Sequence, residues 1–256
     1  MLCVRKRCRV VVLLVSCVGV VFAAWARAEG PEGKKPSSYA PAKDLRGQVD
    51  AFVQKIAEDL ANEADYGDEQ KSRVTKDAHT LAVLALVLGM HDEENTLKPS
   101  AAAVVKAAGK LAAASGDFKQ ATAALAELKR AIAGAEGAGK LEWKPVADLS
   151  QLMKQVPIVN NNLRRTVTGK RFKQSLEVSA GQAATLAALA QASSFDTTYC
   201  DGKDAEAKWA RLCGEMRDDA AEVQAAIRKG DQDAAKAGLD KLAKTCDACH
   251  HVFRDK

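Results

Sequence analysis

The chain has 256 residues, of which 28% are charged and 5% are aromatic. Its formal net charge is +5, but five basic residues and no acidic residue fall within positions 1–28. The remainder holds equal numbers of basic and acidic residues, 33 of each. This balance gives no reason to expect a nucleic-acid-binding protein.

Positions 1–28 have the three parts of a secretory signal peptide. A basic stretch (Arg5, Lys6, Arg7 and Arg9) precedes an apolar run over about 10–24, and the motif Ala26-Arg27-Ala28 follows as a cleavage site. The apolar run is too short for a confident membrane span. We therefore expect export to the periplasm, with no integral membrane span after processing.

Residues 29–43 are rich in Gly, Pro and Ser, which predicts a linker without a core of its own. The chain beyond is rich in Ala, Leu, Lys and Glu, with apolar residues three and four positions apart. This pattern predicts an all-α fold. The stripes fall into two groups of four helices, which predict a four-helix bundle over 44–137 and a second one over 145–256.

The predicted helices of the first bundle cover about 45–60, 69–90, 100–112 and 117–132. Those of the second cover about 149–163, 172–193, 209–227 and 239–253. Pro157 should kink the first helix of the second bundle or mark its restart.

The two bundles look like copies of one sequence. Residues 44–45 match 148–149, residues 80–85 match 185–190, and residues 116–117 match 230–231. The second copy then has about nine extra residues, in the stretch that contains Cys200. The alternative is two unrelated bundles with a similar Ala-rich composition.

Near the end of the chain, Cys246-x-x-Cys249-His250 has the C-x-x-C-H pattern of a c-type haem attachment site. The two thiols can each bind one vinyl group of a single porphyrin, which makes the next histidine the proximal iron ligand. A redox-active C-x-x-C would be expected within a βαβ pattern, and none is visible. A closed zinc site needs a second ligand pair, and the spacing of Cys200 and Cys213 fits one poorly. A chance match is the remaining alternative.

The first bundle lacks this motif, because Ile132, Ala135 and Glu136 stand where the second has its cysteines and histidine. We therefore expect it to be haemless. Its two histidines, His79 and His91, are expected to be structural or solvated rather than ligands.

Cys200 and Cys213 are an even pair in a chain expected to reach an oxidising compartment, so one disulfide between them is plausible. The alternative is two unpaired cysteines, with Cys213 packed in a helix.

A C-x-x-C-H motif on the last helix of a four-helix bundle is the arrangement of cytochrome c′ and its class II relatives. Residues 246–254 (CDACHHVFR) resemble the C-x-x-C-H-x-x-aromatic-basic ending of that family. The resemblance covers about 145–256 and, more faintly, 41–137. It implies one covalent haem c on Cys246 and Cys249, with His250 as the proximal ligand. It also implies that Arg254 lies near the haem edge, and we expect Trp209 to pack against the haem or near it.

The resemblance leaves the sixth iron ligand open. In this family the first helix of the bundle forms the distal face: a methionine there gives a six-coordinate electron carrier, and an apolar residue gives a five-coordinate iron that binds gases such as nitric oxide. Met153 and Leu152 are the candidates here, and Met216 is a lesser one. Met153 lies one position off the cleanest apolar stripe, so a role in filling the core is the alternative.

These residues predict a periplasmic monohaem cytochrome that transfers single electrons to redox partner proteins. The first alternative is a five-coordinate protein that binds small gases. The second is an interaction module in which the haemless bundle docks a partner. No catalytic triad, carboxylate pair or phosphate-binding loop stands out, so we do not expect an enzyme. Members of the family often dimerise through helices, and a homodimer stays open.

Overall fold

The computed structural model describes residues 34–134, 139–202 and 204–254. In these ranges all regular secondary structure is helical, with eight α-helices, four short 3-10 helices and no strand. The prediction of an all-α fold is thus confirmed for this part of the chain. The signal peptide expected over 1–28 and the first residues of the expected linker lie outside the described residues.

Each predicted apolar stripe lies in one of the eight helices. Their bounds are α1 Ala42–Asp59, α2 Asp68–Gly89, α3 Ala101–Ala114, α4 Phe118–Ile132, α5 Leu149–Thr168, α6 Leu176–Ser193, α7 Ala205–Arg228 and α8 Gln232–Phe253. The 3-10 helices are Pro36–Ser38, Glu63–Asp65, Lys98–Ser100 and Phe172–Gln174. Across the described ranges, no helix is both long enough and apolar enough to cross a membrane.

Aspartate caps set the start of three helices. The side chains of Asp117, Asp148 and Asp231 accept hydrogen bonds from backbone N–H groups in the first turns of α4, α5 and α8. Each cap satisfies a donor that has no partner within its own helix. Gly230, at a φ of 71°, allows the tight turn between α7 and α8.

The helix does not restart at Pro157, because α5 runs as one helix from Leu149 to Thr168. Pro157 is exposed, whereas Leu152, Val159 and Leu163 on the same helix are buried. Burial of this apolar face outweighs the local cost of the proline.

The end of the predicted linker also differs from the expectation. Tyr39 and Ala40 belong to the core, with Tyr39 only 2% exposed, and α1 begins at Ala42. The Ala40 carbonyl lies 3.0 Å from His91 Nε2, and the Arg217 guanidinium lies 5.5 Å from the centre of the Tyr39 ring. Residues 39–43 are therefore packed structure rather than linker.

Helices adjacent in sequence pack against each other within α1–α4 and within α5–α8, and α1 and α2 also contact α5 and α6. Helix α6 is buried along most of its length, and α2 is buried through its apolar second half, residues 80–88. Buried residues from both groups form one continuous core.

Two buried carboxylates make polar links between the halves of the chain. Asp44 on α1 accepts a hydrogen bond of 2.6 Å from Gln224 on α7, and it also pairs with Arg228. Asp77 on α2 accepts a hydrogen bond of 2.9 Å from the Gln155 amide on α5. Buried carboxylates need such partners because desolvation of a charge is costly.

Replacement of Asp77 by Asn should stabilise the fold at neutral pH. Burial raises the pKa of Asp77 to about 6, so the folded state holds this proton at higher pH than the unfolded state does. The contribution of the carboxyl to stability therefore falls as the pH rises from about 4 to about 6. Asn removes the charge and can donate to Gln155 Oε1, which is buried without a hydrogen-bond partner. We expect a gain of about 1–2 kcal/mol at pH 8, measured by urea unfolding.

The matched control is Asp59→Asn, because Asp59 is also nearly buried but forms an ion pair of 2.6 Å with Arg73. Neutralisation there should destabilise the protein at the same pH. A destabilised Asp77→Asn variant at pH 8 would contradict the argument.

Candidate functional site

The helical hairpin of α7 and α8 positions the C-x-x-C-H residues. Near the turn, a Cβ added to Gly238 would lie 2.8 Å from Val223 Cγ2, so the two helices approach each other closely there. Further along, Asp219 on α7 accepts a hydrogen bond of 2.6 Å from Thr245 and pairs with Lys241 at 2.9 Å. At the far end the rings of Trp209 and Phe253 pack edge to face, 5.1 Å apart. These contacts fix the register of the hairpin.

Cys246 and Cys249 lie on the face of α8 that also carries the buried Leu239 and Leu242. Both cysteines are half-buried. Cys246 packs against the main core, whereas Cys249 packs against a second, smaller apolar cluster. Because the two cysteines are three positions apart on a helix, they lie on the same side of it.

We call this smaller group the end cluster. It consists of the buried residues Leu149, Trp209 and Cys213 and of the partly buried Met153, Cys200, Cys249 and Phe253. Three residues predicted to surround a haem, Met153, Trp209 and Cys249, thus come together from α5, α7 and α8. Phe253 was not among the predicted site residues, although its position four residues after Cys249 places it on the same helix face.

Trp209 has a fixed orientation in the end cluster. Its indole Nε1–H donates a hydrogen bond of 2.8 Å to the Ser193 carbonyl at the end of α6, and the residue is 4% exposed. Together with the ring of Phe253, this bond holds the indole by one polar and one aromatic contact.

The three candidates for the sixth ligand occupy different places. Leu152 is 3% exposed and belongs to the main core. Met216 is partly buried and packs against the main core. Met153 packs against both the main core and the end cluster, which contains Cys249. Met153 is therefore the candidate that contacts the clusters of both motif cysteines, whereas Leu152 and Met216 share only the main core with Cys246.

His250 of the motif and the basic residues that follow it lie at the C-terminal end of α8. His250 is half-buried, whereas His251 and Arg254 are exposed. The backbone N–H of Arg254 donates to the His250 carbonyl at 2.9 Å and closes the helix. Basic side chains at this end interact favourably with the helix dipole.

The two motif cysteines are neutral thiols. Burial raises the pKa of the Cys246 thiol, with the nearby Asp247 and Asp219 adding to the effect, and burial raises that of Cys249 to about 11. The motif is also at the C-terminal end of its helix, where no dipole stabilises a thiolate. Because redox-active C-x-x-C pairs have a lowered cysteine pKa, this environment argues against a dithiol oxidoreductase.

The structure also bears on the other roles considered for the cysteines. Within the described ranges, no group of three or more His, Cys, Asp or Glu residues is arranged to hold a metal ion. Cys200 and Cys213 are free thiols here, so the disulfide expected between them is not formed in this structure.

The histidines of the first half have structural contacts. His91 is buried, and its Nδ1 accepts a hydrogen bond of 3.0 Å from the Glu93 backbone N–H. Its Nε2 is then the donor to Ala40. His79 Nδ1 accepts from the backbone N–H of Asp148, the cap of α5, at 3.3 Å. A surface cavity of about 510 Å³ between α3 and residues 139–146 contains none of the predicted site residues.

A scan against protein-family models, a search of curated proteins and a search of solved structures each found no match for this chain. Functional conclusions therefore depend on the residues of the site itself.

Loss of Asp219 should weaken the docking of α8 on α7. Its carboxylate is buried and satisfies both Thr245 and Lys241. We expect Asp219→Ala to lower the free energy of unfolding by about 1–3 kcal/mol, because Thr245 and Lys241 both lose an acceptor that is held inside the hairpin. Denaturant titration followed by circular dichroism measures this change.

Glu222→Ala is the matched control, since Glu222 also pairs with Lys241, at 2.8 Å, but has an exposed side chain. The control should have a much smaller effect. Equal losses for the two variants would show that the buried acceptor has no special role.

Proposed function

We propose that this chain is a periplasmic monohaem c-type cytochrome of the class II, cytochrome c′-like type, which transfers single electrons between redox partner proteins. The observation that carries the proposal is the position of the C-x-x-C-H motif. Its cysteines are free thiols on the inward face of the last helix, and Cys249 shares an apolar cluster with a methionine from α5.

The donor set of the site fits a covalent haem c. Cys246 and Cys249 would hold the porphyrin through two thioethers, and His250 would be the proximal iron ligand. Met153 offers a soft thioether as the distal ligand, which stabilises reduced iron and raises the potential. The bound haem supplies an iron that alternates between the ferric and ferrous states.

The residues around the motif have supporting roles. Trp209 and Phe253 present aromatic surface beside Cys249 and exclude water from that side of the site. Leu149 adds a buried aliphatic side chain to the same cluster. Arg254 is exposed, and at the edge of the haem it would face a propionate. An apolar surrounding of this kind is one of the means by which a protein sets a haem potential.

The proposed architecture is a tandem of two four-helix bundles, α1–α4 and α5–α8, of which the first is haemless. In support, each group consists of four consecutive helices, and consecutive helices within each group pack against each other. The contacts of α1 and α2 with α5 and α6 favour a first bundle that supports the second one. Experiments can also test whether the first bundle docks a partner protein and whether the chain forms a homodimer.

The visible spectrum of the chain matured by a cytochrome c biogenesis system tests this function. We expect covalent haem in a 1:1 ratio to protein, a low-spin ferric spectrum with the far-red band of methionine ligation, and no response to nitric oxide or carbon monoxide. Met153→Ala should abolish the far-red band and allow gas binding.

Met216→Ala is the matched control, because it removes a partly buried methionine from the main core rather than from the end cluster. This variant should keep the low-spin spectrum. A wild-type chain without covalent haem would refute the proposal. A high-spin wild-type spectrum that shifts with gas would replace the electron carrier by a five-coordinate, gas-binding cytochrome.

A further inference from the structure

Cys213 occupies a position that haem attachment does not use. It lies on α7, it is 5% exposed, and it packs in the end cluster to which Cys249 of α8 also belongs. Under the proposed function, Cys213 neither binds the haem iron nor forms a thioether. A buried free thiol beside an attachment cysteine therefore calls for its own explanation.

The register of the α7–α8 hairpin places Cys213 level with Cys249. The Trp209–Phe253 contact marks one end of this stretch, and Asp219 with Thr245 marks the other. Cys213 comes four residues after Trp209 on α7, and Cys249 comes four residues before Phe253 on α8. Because α7 and α8 are antiparallel, a step of about one helical turn along each helix from the Trp209–Phe253 contact reaches Cys213 on α7 and Cys249 on α8.

The two cysteines thus lie at the same level of two packed helices and share the end cluster. Cys200, the other non-motif cysteine of the end cluster, lies instead in the connection between α6 and α7, where its backbone N–H bonds to the Thr197 carbonyl at 2.9 Å. Disulfide formation depends on the approach and direction of the two Cβ atoms. The packed helices α7 and α8 hold Cys213 and Cys249 at fixed heights, whereas Cys200 lies on a connection outside both helices.

We propose that Cys213 is a disulfide partner of Cys249 in the haem-free chain under oxidising conditions, so that this disulfide and haem attachment compete for Cys249. The part concerning haem rests on the proposed function, and the disulfide itself does not. Attachment at Cys249 consumes its thiol, and a Cys213–Cys249 bond removes the same thiol from reaction.

The reaction balances with a small-molecule disulfide as the oxidant. The half-buried Cys249 attacks oxidised glutathione, which forms a mixed disulfide and releases one molecule of glutathione. Cys213 then attacks the Cys249 sulfur, which forms the protein disulfide and releases the second glutathione. Two thiols are oxidised, one glutathione disulfide is reduced, and the two thiol protons go to the released glutathione.

Disulfide mapping tests the inference without haem. The chain, exported without a cytochrome c maturation system, is equilibrated with oxidised glutathione, alkylated and digested with trypsin. Cys200, Cys213 and the motif cysteines fall on three different tryptic peptides. Fragmentation distinguishes Cys249 from Cys246. We expect the Cys213–Cys249 link to be the main disulfide in the wild type and in Cys200→Ser, and to be lost in Cys213→Ser.

A second measurement tests the competition. In the presence of the maturation system, Cys213→Ser should carry more covalent haem per chain than the wild type, and Cys200→Ser should match the wild type. Circular dichroism verifies that each variant is folded, and Cys213→Ala replaces Cys213→Ser if the hydroxyl disrupts the cluster.

A main disulfide between Cys200 and Cys213 or between Cys246 and Cys249, or no disulfide at Cys213, would overturn the inference. Equal haem content in Cys213→Ser and wild type would overturn the competition. A wild type that never takes up haem would refute the proposed function, while the mapping would still decide whether Cys213 and Cys249 pair.

Discussion

The close packing of α7 on α8 is the contact on which the position of the C-x-x-C-H residues depends. Gly238 allows the helices to approach, and the buried carboxylate of Asp219 then fixes their register through two donors of α8. A shift of one helical turn would move Cys249 out of the end cluster. The position of the motif is therefore fixed by contacts on both sides of it in the chain, since Trp209 and Phe253 also pack beyond Cys249.

Burial raises the pKa of two kinds of acidic group in this fold, with different consequences. For the cysteines of α8 it favours the protonated thiol. For Asp77 it leaves a carboxyl poorly solvated between α2 and α5, with an amide as its hydrogen-bond partner. The first effect preserves groups for a later reaction, and the second costs stability at a contact between the two halves of the chain.

The eight helices could be predicted from the sequence because each carries an apolar stripe with the helical period. Local rules failed where distant residues decide the outcome. Tyr39 is buried in a core that includes residues from both halves of the chain, and α5 continues through Pro157 while its inner face is covered. Similarly, the cysteine motif was visible in the sequence, but the Trp209–Phe253 contact depends on a helix register that no local pattern encodes.

The continuity of α5 through Pro157 has a consequence for the residue four positions before it. In an uninterrupted helix the carbonyl of Met153 would accept a hydrogen bond from the backbone N–H of residue 157, and proline has none to give. The Met153 carbonyl therefore lacks the donor that a regular helix would give it. A missing backbone donor thus falls in the same turn as the candidate distal ligand.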